Sequence, residues 1–245
     1  MAYEALARSY DRLTDDVPYP ELASFYEKLV KTEKKPEPRL LLDLCCGTGT
    51  LTDLLAARGY EMIGVDASPE MLSVAREKAE TLDCRVKPMY LCQEASGLDL
   101  YGTVEGAVCC LDGMNYIPPE ELFELFRRLH LFIEPDGAFA FDMHSPEHLH
   151  ELDGQTFVDE TEDMLCLWRA EFDVEENALF YGMDIFRRRG SLWSREEEEH
   201  IEFAHEPGQL CALLKQAGFK SAEIAADCPM SGQGRIFIRA ENAPH

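Results

Sequence analysis

The chain of 245 residues carries a formal net charge of −24, and hydrophobic residues make up 46% of it. This length and composition predict one large domain, or one domain with a substantial insertion. The negative charge argues against a nonspecific nucleic-acid binder, which needs basic residues to displace the counterions of the phosphate backbone. Because no apolar run approaches the roughly 20 residues that span a bilayer, we expect no membrane partner.

Helix-period apolar spacing predicts two leading helices, at residues 2–13 and 19–31, with a polar linker at 34–38 after them. Strands and helices then alternate, and such alternation builds a parallel sheet with helices on both faces. The predicted strands are residues 40–44, 62–65, 85–90, 106–111 and 138–142, and the predicted helices between them are residues 50–58, 69–80 and 119–132.

The pattern changes after Met143. Residues 156–203 contain three strand-like segments joined by turns, which predicts an antiparallel meander inserted into the α/β domain after the fifth strand. The three segments are residues 164–174, 178–187 and 192–205. The chain then closes with a predicted helix and two predicted strands, at residues 207–217, 220–224 and 235–240.

The nine cysteines form no C-x-x-C pair, and four of them are the adjacent couples Cys45-Cys46 and Cys109-Cys110. Both couples lie in or beside apolar segments, which is typical of reduced cysteines used as small hydrophobic residues. Residues 1–12 are polar and amphipathic and do not resemble a signal peptide. Since reduced cysteines are typical of the cytosol, these features predict a cytoplasmic protein.

The end of the first strand carries the most informative motif, Asp43-Leu44-Cys45-Cys46-Gly47-Thr48-Gly49. A strand, a glycine turn and a helix form a nucleotide-binding β-α-β unit when an acidic residue ends the next strand. Asp66 meets that condition, because it ends the second apolar run 17 residues after Gly49. The glycines let the backbone approach a ligand, and the acid accepts hydrogen bonds from ribose hydroxyls.

The details of this loop separate the classes of nucleotide. A dinucleotide fingerprint places a third small residue in G-x-G-x-x-G/A, and the chain has Thr52 there, which disfavours an NAD oxidoreductase. A P-loop is excluded, because no G-K-[ST] follows Gly47 and residues 48–58 contain no lysine.

The pattern D-x-x-x-G-T-G resembles motif I of the class I S-adenosylmethionine-dependent methyltransferases. The resemblance covers about residues 40–143, with a weaker similarity in the last forty residues. It implies S-adenosylmethionine as the cofactor. It also implies a Rossmann-like seven-stranded sheet, in which a reversed carboxy-terminal β-hairpin follows five parallel strands.

The resemblance also implies which residues contact the cofactor. Asp43 would lie near the methionine end, beside the glycine turn, and Asp66 would bind the ribose. The remaining implied contacts are Gly47 and Gly49 in the turn, Ala67 and Met71 against the adenine ring, Gln93 and Glu94 at the adenine edge, and Leu111 and Asp112 beside the methionine moiety.

The segments at residues 9–11 and 17–19 resemble a bacterial subgroup of methyltransferases with small-molecule acceptors. Tyrosines from leading helices cover the cofactor in that subgroup, which adds Tyr10 to the implied contacts and makes Tyr19 a second candidate. Other interpretations remain open: Asp66 also fits a helix cap, Glu94 a solvated surface acid, and Met71 and the two tyrosines core packing.

Three histidines, His144, His148 and His150, lie just past the fifth predicted strand. Histidines four residues apart on a helix bind a metal when a third ligand joins them, but no cysteine pair or carboxylate motif completes this set, so we expect no metal. Residues that follow parallel strands face the ligand crevice, which makes His144 the candidate general base or substrate contact. We interpret His150 as a surface residue.

The sequence therefore predicts a cytoplasmic S-adenosylmethionine-dependent methyltransferase with a small-molecule acceptor. We expect residues 1–35 to form a helical cover, residues 36–150 and 204–245 the cofactor-binding domain, and residues 151–203 a substrate cover. Two alternatives remain: an RNA methyltransferase, for which 187–189 is the only obvious basic patch, and a catalytically silent sensor or assembly partner that binds the cofactor. An apolar face on the insertion would also fit a homodimer.

Overall fold

The computed structural model describes residues 6–226 and 228–244, so the first residues of the first predicted helix lie outside the described part of the chain. A short 3-10 turn, Ala7–Ser9, leads into the first α-helix. The elements up to the insertion are α1 (Tyr10–Leu13), α2 (Tyr19–Val30), β1 (Leu40–Leu44), α3 (Thr50–Ala57), β2 (Glu61–Asp66), α4 (Pro69–Thr81), β3 (Met89–Cys92), β4 (Val104–Cys109), α5 (Leu122–Phe132), β5 (Ile133–His144) and α6 (Pro146–Glu151). The elements from the insertion onward are β6 (Thr156–Glu160), β7 (Met164–Asp173), β8 (Ala178–Arg189), β9 (Leu192–Phe203), α7 (Pro207–Ala217), β10 (Phe219–Ile224) and β11 (Arg235–Asn242).

The larger sheet has seven strands in the order β10-β11-β5-β4-β1-β2-β3. Strands β1 to β5 are parallel, and β11 runs antiparallel to both of its neighbours, β5 and β10. Apolar side chains fill both faces of the sheet: one core surrounds Phe126 and Phe141, and the other surrounds Tyr26 and Leu55. The predicted fold class, a Rossmann-like seven-stranded sheet with a reversed closing hairpin, is confirmed.

The third strand begins later than predicted. The predicted segment was residues 85–90, whereas the observed strand is Met89–Cys92, which pairs with Ile63–Asp66 of β2. Lys87, just before the strand, contacts the end of α4 instead. The ammonium group of Lys87 donates to the carbonyl oxygens of Ala79, Glu80 and Leu82, at 2.8, 3.1 and 2.5 Å. The last carbonyls of a helix lack intrahelical partners, so Lys87 caps this end together with Leu82, whose N–H also donates to the Ala79 carbonyl at 3.3 Å.

The inserted antiparallel sheet has four strands, in the order β6-β7-β8-β9, and not the predicted three. The additional strand, Thr156–Glu160, is an edge strand that pairs only with β7 and is largely exposed. Such a strand has no strong apolar alternation, which explains why the sequence pattern did not reveal it. A short helix, α6, was also not predicted as such; Ser145 caps it by accepting a hydrogen bond from the His148 N–H at 3.1 Å.

The inserted sheet packs against the same end of the α/β domain where β4 and β5 finish. The Asn115 side-chain amide donates to the carbonyl oxygen of Phe203 at 3.0 Å, and a ring nitrogen of His205 lies 3.0 Å from the carbonyl oxygen of Ile117. Leu149 of α6 packs into an apolar cluster with Leu179 and other residues of the inserted sheet. In the described part of the chain, no helix combines the length and apolarity needed to cross a membrane.

Candidate functional site

A cavity of about 270 Å³ lies at the carboxyl ends of β1, β2, β3 and β4. The chain leaves β1 for β2 on one side, while β4 lies on the other side, so this is the point where the strand order reverses. Ligands of open α/β sheets bind in this position. Nine of the eleven predicted cofactor contacts line the cavity: Tyr10, Asp43, Gly47, Asp66, Ala67, Met71, Gln93, Glu94 and Leu111. Gly49 and Asp112 are not among the residues that line it.

The two glycines of the turn have different roles. Both adopt left-handed backbone conformations, with φ of +53° at Gly47 and +77° at Gly49. A Cβ atom on Gly47 would meet no atom within 4 Å, so this side of the turn is open toward the cavity. A Cβ atom on Gly49 would collide with the phenol oxygen of Tyr90. Gly47 therefore leaves space for a ligand, whereas Gly49 allows the helix and the sheet to pack closely.

Asp66, at the end of β2, holds the glycine turn and lines the cavity at the same time. Its Oδ2 accepts a hydrogen bond from the Gly47 N–H at 2.8 Å, and its Oδ1 accepts one from the Ser68 N–H at 2.9 Å. Burial raises the pKa of Asp66, and these backbone donors oppose that effect. Each carboxylate oxygen keeps a further lone pair for a ligand. The capping and ligand-binding interpretations of Asp66 are therefore compatible.

Asp43 is a buried carboxylate with one unpaired oxygen. Only 1% of the residue is exposed, and its Oδ2 accepts a hydrogen bond from the Thr52 hydroxyl at 2.5 Å. Its Oδ1 has no hydrogen-bond partner among the described residues, although Asp43 lines the cavity. Burial raises the pKa of Asp43 from 3.8 to about 7. A buried acceptor of this kind needs a donor, and a ligand in the cavity can supply one.

The hydrogen bond to Asp43 explains why Thr52 stands where a dinucleotide fingerprint has glycine or alanine. The threonine hydroxyl orients the carboxylate, and the small side chain still lies fully buried between helix and strand. The sequence showed this position only as a departure from the dinucleotide pattern.

Two polar residues, Gln93 and Glu94, follow β3 and have different surroundings. The Gln93 side chain exchanges two hydrogen bonds with the backbone of Asp99, from Nε2 to the carbonyl at 3.1 Å and from the N–H to Oε1 at 3.0 Å. Gln93 therefore holds the loop after β3, while Glu94 is exposed at the rim of the cavity. Ala67 and Met71 form an apolar part of the wall between them and Asp66.

The end of β4 turns sharply into the cavity wall. Leu111 and Asp112 both have left-handed backbones, with φ of +56° and +55°. The Asp112 carboxylate accepts a hydrogen bond from Arg235, whose Nη2 lies 2.8 Å from Oδ1. Burial raises the pKa of Asp112, but the positive charge of Arg235 lowers it, and the net pKa is below the ordinary value. Beyond this turn, Tyr116 and Ile117 also line the cavity, and nothing in their sequence context had marked them.

His144 does not line the cavity; 16% of its side chain is exposed, and both ring nitrogens have polar neighbours. Nδ1 lies 2.9 Å from Glu202, and Nε2 lies 3.0 Å from Nη2 of Arg235. Burial lowers the pKa of His144, but the carboxylates of Asp112 and Glu202 raise it by more. Because arginine only donates, the contact with Arg235 fits a neutral ring with its proton on Nδ1, whereas the raised pKa favours the protonated ring, in which Nε2 would donate and Arg235 would have to move.

Asp112, His144 and Glu202 bring three potential metal-ligand atoms within 4.8 Å of one another. The Arg235 guanidinium already contacts two of the three, so it supplies the positive charge that these carboxylates require. The other two histidines do not join the cluster as ligands: the His148 ring lies 5.0 Å from that of His144, and His150 packs against Phe172 with centroids 3.8 Å apart.

The leading helices close the cavity on the side of the glycine turn. Tyr10 and Tyr19 both line it, and burial raises the pKa of Tyr19. The Asp11 carboxylate accepts hydrogen bonds from the Thr48 hydroxyl at 2.5 Å and from the Lys78 ammonium at 2.7 Å. Asp11 thus ties α1 to the glycine turn and to α4.

The chain resembles known methyltransferases over nearly its whole length. The protein YqeM of Bacillus subtilis (strain 168), provisionally named a methyltransferase, is 29% identical over 99% of this chain and 98% of its own. A similar provisional methyltransferase of Geobacillus sp. (strain WCH70) is 29% identical over 98% of this chain and all of its own.

Solved structures show the same similarity. An S-adenosylmethionine-dependent methyltransferase from Clostridium acetobutylicum ATCC 824 is 28% identical, with a TM-score of 0.82 over 98% of this chain and 99% of its own. The sugar N-methyltransferase KedS8 from Streptoalloteichus sp. shares the fold, with a TM-score of 0.82 at 19% identity over 96% of this chain and 92% of its own. The family described as "Methyltransferase domain" matches residues 41–137, which contain the glycine turn and four of the five parallel strands. The chain therefore belongs to the class I S-adenosylmethionine-dependent methyltransferase superfamily.

Proposed function

We propose that this protein transfers the methyl group of S-adenosylmethionine to a small-molecule acceptor. One observation carries the proposal: the cavity at the strand-order reversal contains two acids, the buried Asp43 and the half-buried Asp66, beside an open glycine turn. The cofactor carries an ammonium group, a sulfonium and a ribose diol, and all three are favoured by carboxylates.

The residues present fit the cofactor. The unpaired Oδ1 of Asp43 would accept a hydrogen bond from the ammonium group of the methionine moiety. The free lone pairs of Asp66 would accept from the ribose hydroxyls, and Ala67 and Met71 would pack against the adenine. No lysine or arginine is among the described residues that line the cavity, which disfavours a phosphate-bearing nucleotide.

The bound cofactor supplies an electrophilic methyl group, and the protein's task is alignment and exclusion of water. Tyr10, Tyr19 and Tyr116 line the cavity and are positioned to flank an acceptor. Because none of these side chains carries a charge at neutral pH, we propose a small acceptor with an apolar or aromatic face rather than a polyanion such as RNA. The basic patch of the RNA alternative is also partly neutralised, since Arg187 and Arg189 both pair with Glu196.

We propose that the inserted sheet, within residues 151–203, covers the acceptor. Tyr10, a residue of the cavity wall, and Trp168 pack against the same apolar cluster, which joins the inserted sheet to the leading segment. Trp168 packs edge to face with Tyr181, at 6.2 Å between centroids. The indole N–H of Trp168 is buried and has no hydrogen-bond partner among the described residues.

The general-base role of His144 stays a prediction. Its contacts with Glu202 and Arg235 support an orienting role at least as well, because they hold Arg235 against Asp112.

A cytoplasmic location also remains part of the proposal, and the nine free cysteines support it. Outward-facing apolar residues on the inserted sheet, Phe180 and Ile201, leave a homodimer as a further expectation.

Isothermal titration calorimetry tests the cofactor. We expect S-adenosylmethionine and S-adenosylhomocysteine to bind with one site per chain and NAD not to bind. Tight NAD binding without S-adenosylhomocysteine binding would overturn the proposal.

Methyl transfer is tested with S-adenosylmethionine that carries a radiolabelled methyl group. The protein is incubated with a bacterial extract that is divided into a small-metabolite fraction and an RNA fraction. We expect label in the metabolite fraction, unchanged by nuclease treatment and reduced with the Asp66→Ala variant at a limiting cofactor concentration. Label only in the RNA fraction would support the RNA alternative, and binding without any transfer would support the silent sensor.

A further inference from the structure

The turn after β4 has a backbone conformation that its first residue, Leu111, does not favour. Leu111 and Asp112 follow one another with φ of +56° and +55°, a region in which leucine in particular is strained by its Cβ. Leu111 lines the cavity, and the next residue but one, Gly113, lines it as well. Strained pairs of this kind persist only where surrounding groups hold them.

One buried carboxylate holds this turn. Asp142, in β5, is 0% exposed, and its two oxygens accept from four donors. The Leu111 N–H donates to Oδ1 at 2.8 Å, and the Asp112 N–H donates to Oδ2 at 3.2 Å. The Tyr26 hydroxyl donates to Oδ1, and Nη1 of Arg235 donates to Oδ2.

These bonds are not needed for strand pairing. The backbone of β5 already pairs with β4 at Cys109 and Phe141, and with β11 at Phe237 and Asp142. The Asp142 side chain instead binds the two strained backbone groups, together with the arginine that also binds Asp112. Of its four donors, the Leu111 N–H belongs to a residue that lines the cavity, and the Asp112 N–H belongs to the next residue of the same turn.

The strand order indicates which part of the cofactor meets this wall, and this step rests on the proposed function. With the ribose at Asp66 on β2, the two ends of the cofactor extend in opposite directions along the sheet edge. The β3 side offers Glu94 and the apolar pair Ala67 and Met71 to the adenine. The methionine end must then extend past β1, where Asp43 lies, to the turn after β4.

We propose that Asp142 is a positioning residue: it fixes the left-handed turn at Leu111 and Asp112, and this turn forms the wall for the methionine end of the cofactor. Asp142 touches neither cofactor nor acceptor in this arrangement. It acts through the backbone of the turn.

Ligands of different length test the proposal in the full-length protein. S-adenosylhomocysteine contains the methionine-derived end, whereas 5′-methylthioadenosine keeps the adenosine and the sulfur but lacks the amino acid. Asp142→Asn replaces one acceptor oxygen with an amide that cannot accept from an N–H. We expect the affinity for S-adenosylhomocysteine to fall about tenfold or more, and that for 5′-methylthioadenosine to change less than about threefold. A merely structural defect would weaken both ligands equally, and that result, or two unchanged affinities, would overturn the proposal.

A second substitution tests the mechanism. Glycine adopts the left-handed conformation without strain, so Leu111→Gly in the Asp142→Asn background should restore part of the lost S-adenosylhomocysteine affinity, after comparison with Leu111→Gly alone. No recovery, in a double variant that remains folded, would contradict a role through the backbone. Asp184→Asn is the matched control, because Asp184 is a buried acid bound by two arginines, Arg169 and Arg195, in the inserted sheet. It should leave the ratio of the two affinities unchanged.

If Asp142→Asn does not fold, Tyr26→Phe decides the question. This variant keeps the ring in the core and removes one donor to Oδ1 of Asp142. The ratio of the affinities for S-adenosylhomocysteine and 5′-methylthioadenosine should therefore fall, by a smaller factor than in Asp142→Asn. An unchanged ratio would contradict the proposal. The wild-type protein distinguishes failure of the proposed function from failure of the role of Asp142. If it binds no S-adenosylhomocysteine, the proposed function fails, whereas binding with an unchanged ratio in the variants overturns only the role of Asp142.

Discussion

Replacing Asp43 with asparagine should stabilise the free protein and weaken cofactor binding. Burial raises the pKa of Asp43 from 3.8 to about 7, so the folded state holds a proton that the unfolded state releases. Asparagine keeps an oxygen for the Thr52 hydroxyl and carries no charge to desolvate. A shift of about three pKa units corresponds to about 4 kcal/mol at most, since one unit is about 1.4 kcal/mol.

The sign of the pH dependence follows from the direction of this shift. Because the folded-state pKa is the higher one, the cost of the Asp43 carboxylate is near zero below its unfolded pKa of 3.8 and grows as the pH rises toward about 7. Above that pH the cost is constant. The gain in unfolding free energy from Asp43→Asn should therefore be about 2–3 kcal/mol larger at pH 8 than at pH 5.

Urea unfolding of wild type and Asp43→Asn at both pH values measures this difference, and calorimetry with S-adenosylhomocysteine measures the functional cost. We expect the variant to lose about 1.5–3 kcal/mol of binding free energy at pH 8, the value of a hydrogen bond to a charged group. Asp184→Asn is a control of opposite sign, because Arg169 and Arg195 lower the pKa of Asp184. An equal gain at pH 5 and pH 8 would refute the titration argument, and an unchanged affinity would show that Asp43 does not contact the ammonium group.

The remaining predictions concern other parts of the site. Asp66→Ala should weaken S-adenosylhomocysteine binding by roughly 1.5–3 kcal/mol in calorimetry, whereas unchanged affinity in a folded variant would reduce Asp66 to a cap. Gly47→Val should abolish binding, since its side chain would occupy open space at the cavity and its φ of +53° is strained for valine; a variant that binds would exclude the turn as the cofactor site. Glu202→Gln should lower the pKa of His144, measured from its ring resonances, because one of the two carboxylates that raise it is lost; an unchanged pKa would mean that Asp112 dominates. His144→Ala should reduce methyl transfer modestly with cofactor affinity preserved, and an unaffected rate would exclude a role in proton transfer or acceptor orientation.

The parts of the site that the sequence predicted are those whose chemistry is local. Gly47 and Asp66 follow directly from two strands, and the register of β1 with β2 places the ends of the two strands side by side. The glycine turn and Asp66 therefore lie side by side as soon as these two strands pair. Gln93 was placed correctly at the end of β3, but its hydrogen bonds to Asp99 depend on the path of a loop, which no pattern indicates.

The third strand shows how a local pattern is overridden by a tertiary contact. Residues 85–90 have strand-like composition, yet Lys87 caps the end of α4 and the strand starts only at Met89. The Lys87 ammonium holds this segment against the end of α4, and the next residue, Pro88, has no N–H to donate to a ladder.

The support of the turn after β4 was beyond the reach of the sequence for a different reason. Asp142 and Arg235 are 93 residues apart and meet only because β11 inserts beside β5 in the reversed orientation. Leu111 gives no sign of a left-handed turn, and Asp112 gives only a weak one, since glycine is the residue that adopts this conformation routinely and asparagine and aspartate do so occasionally. The residue that holds this turn, Asp142, lies in another strand, so the sequence of the turn itself does not indicate the conformation. The methyltransferase motif therefore revealed the wall of the cavity, and only the fold revealed what holds that wall in place.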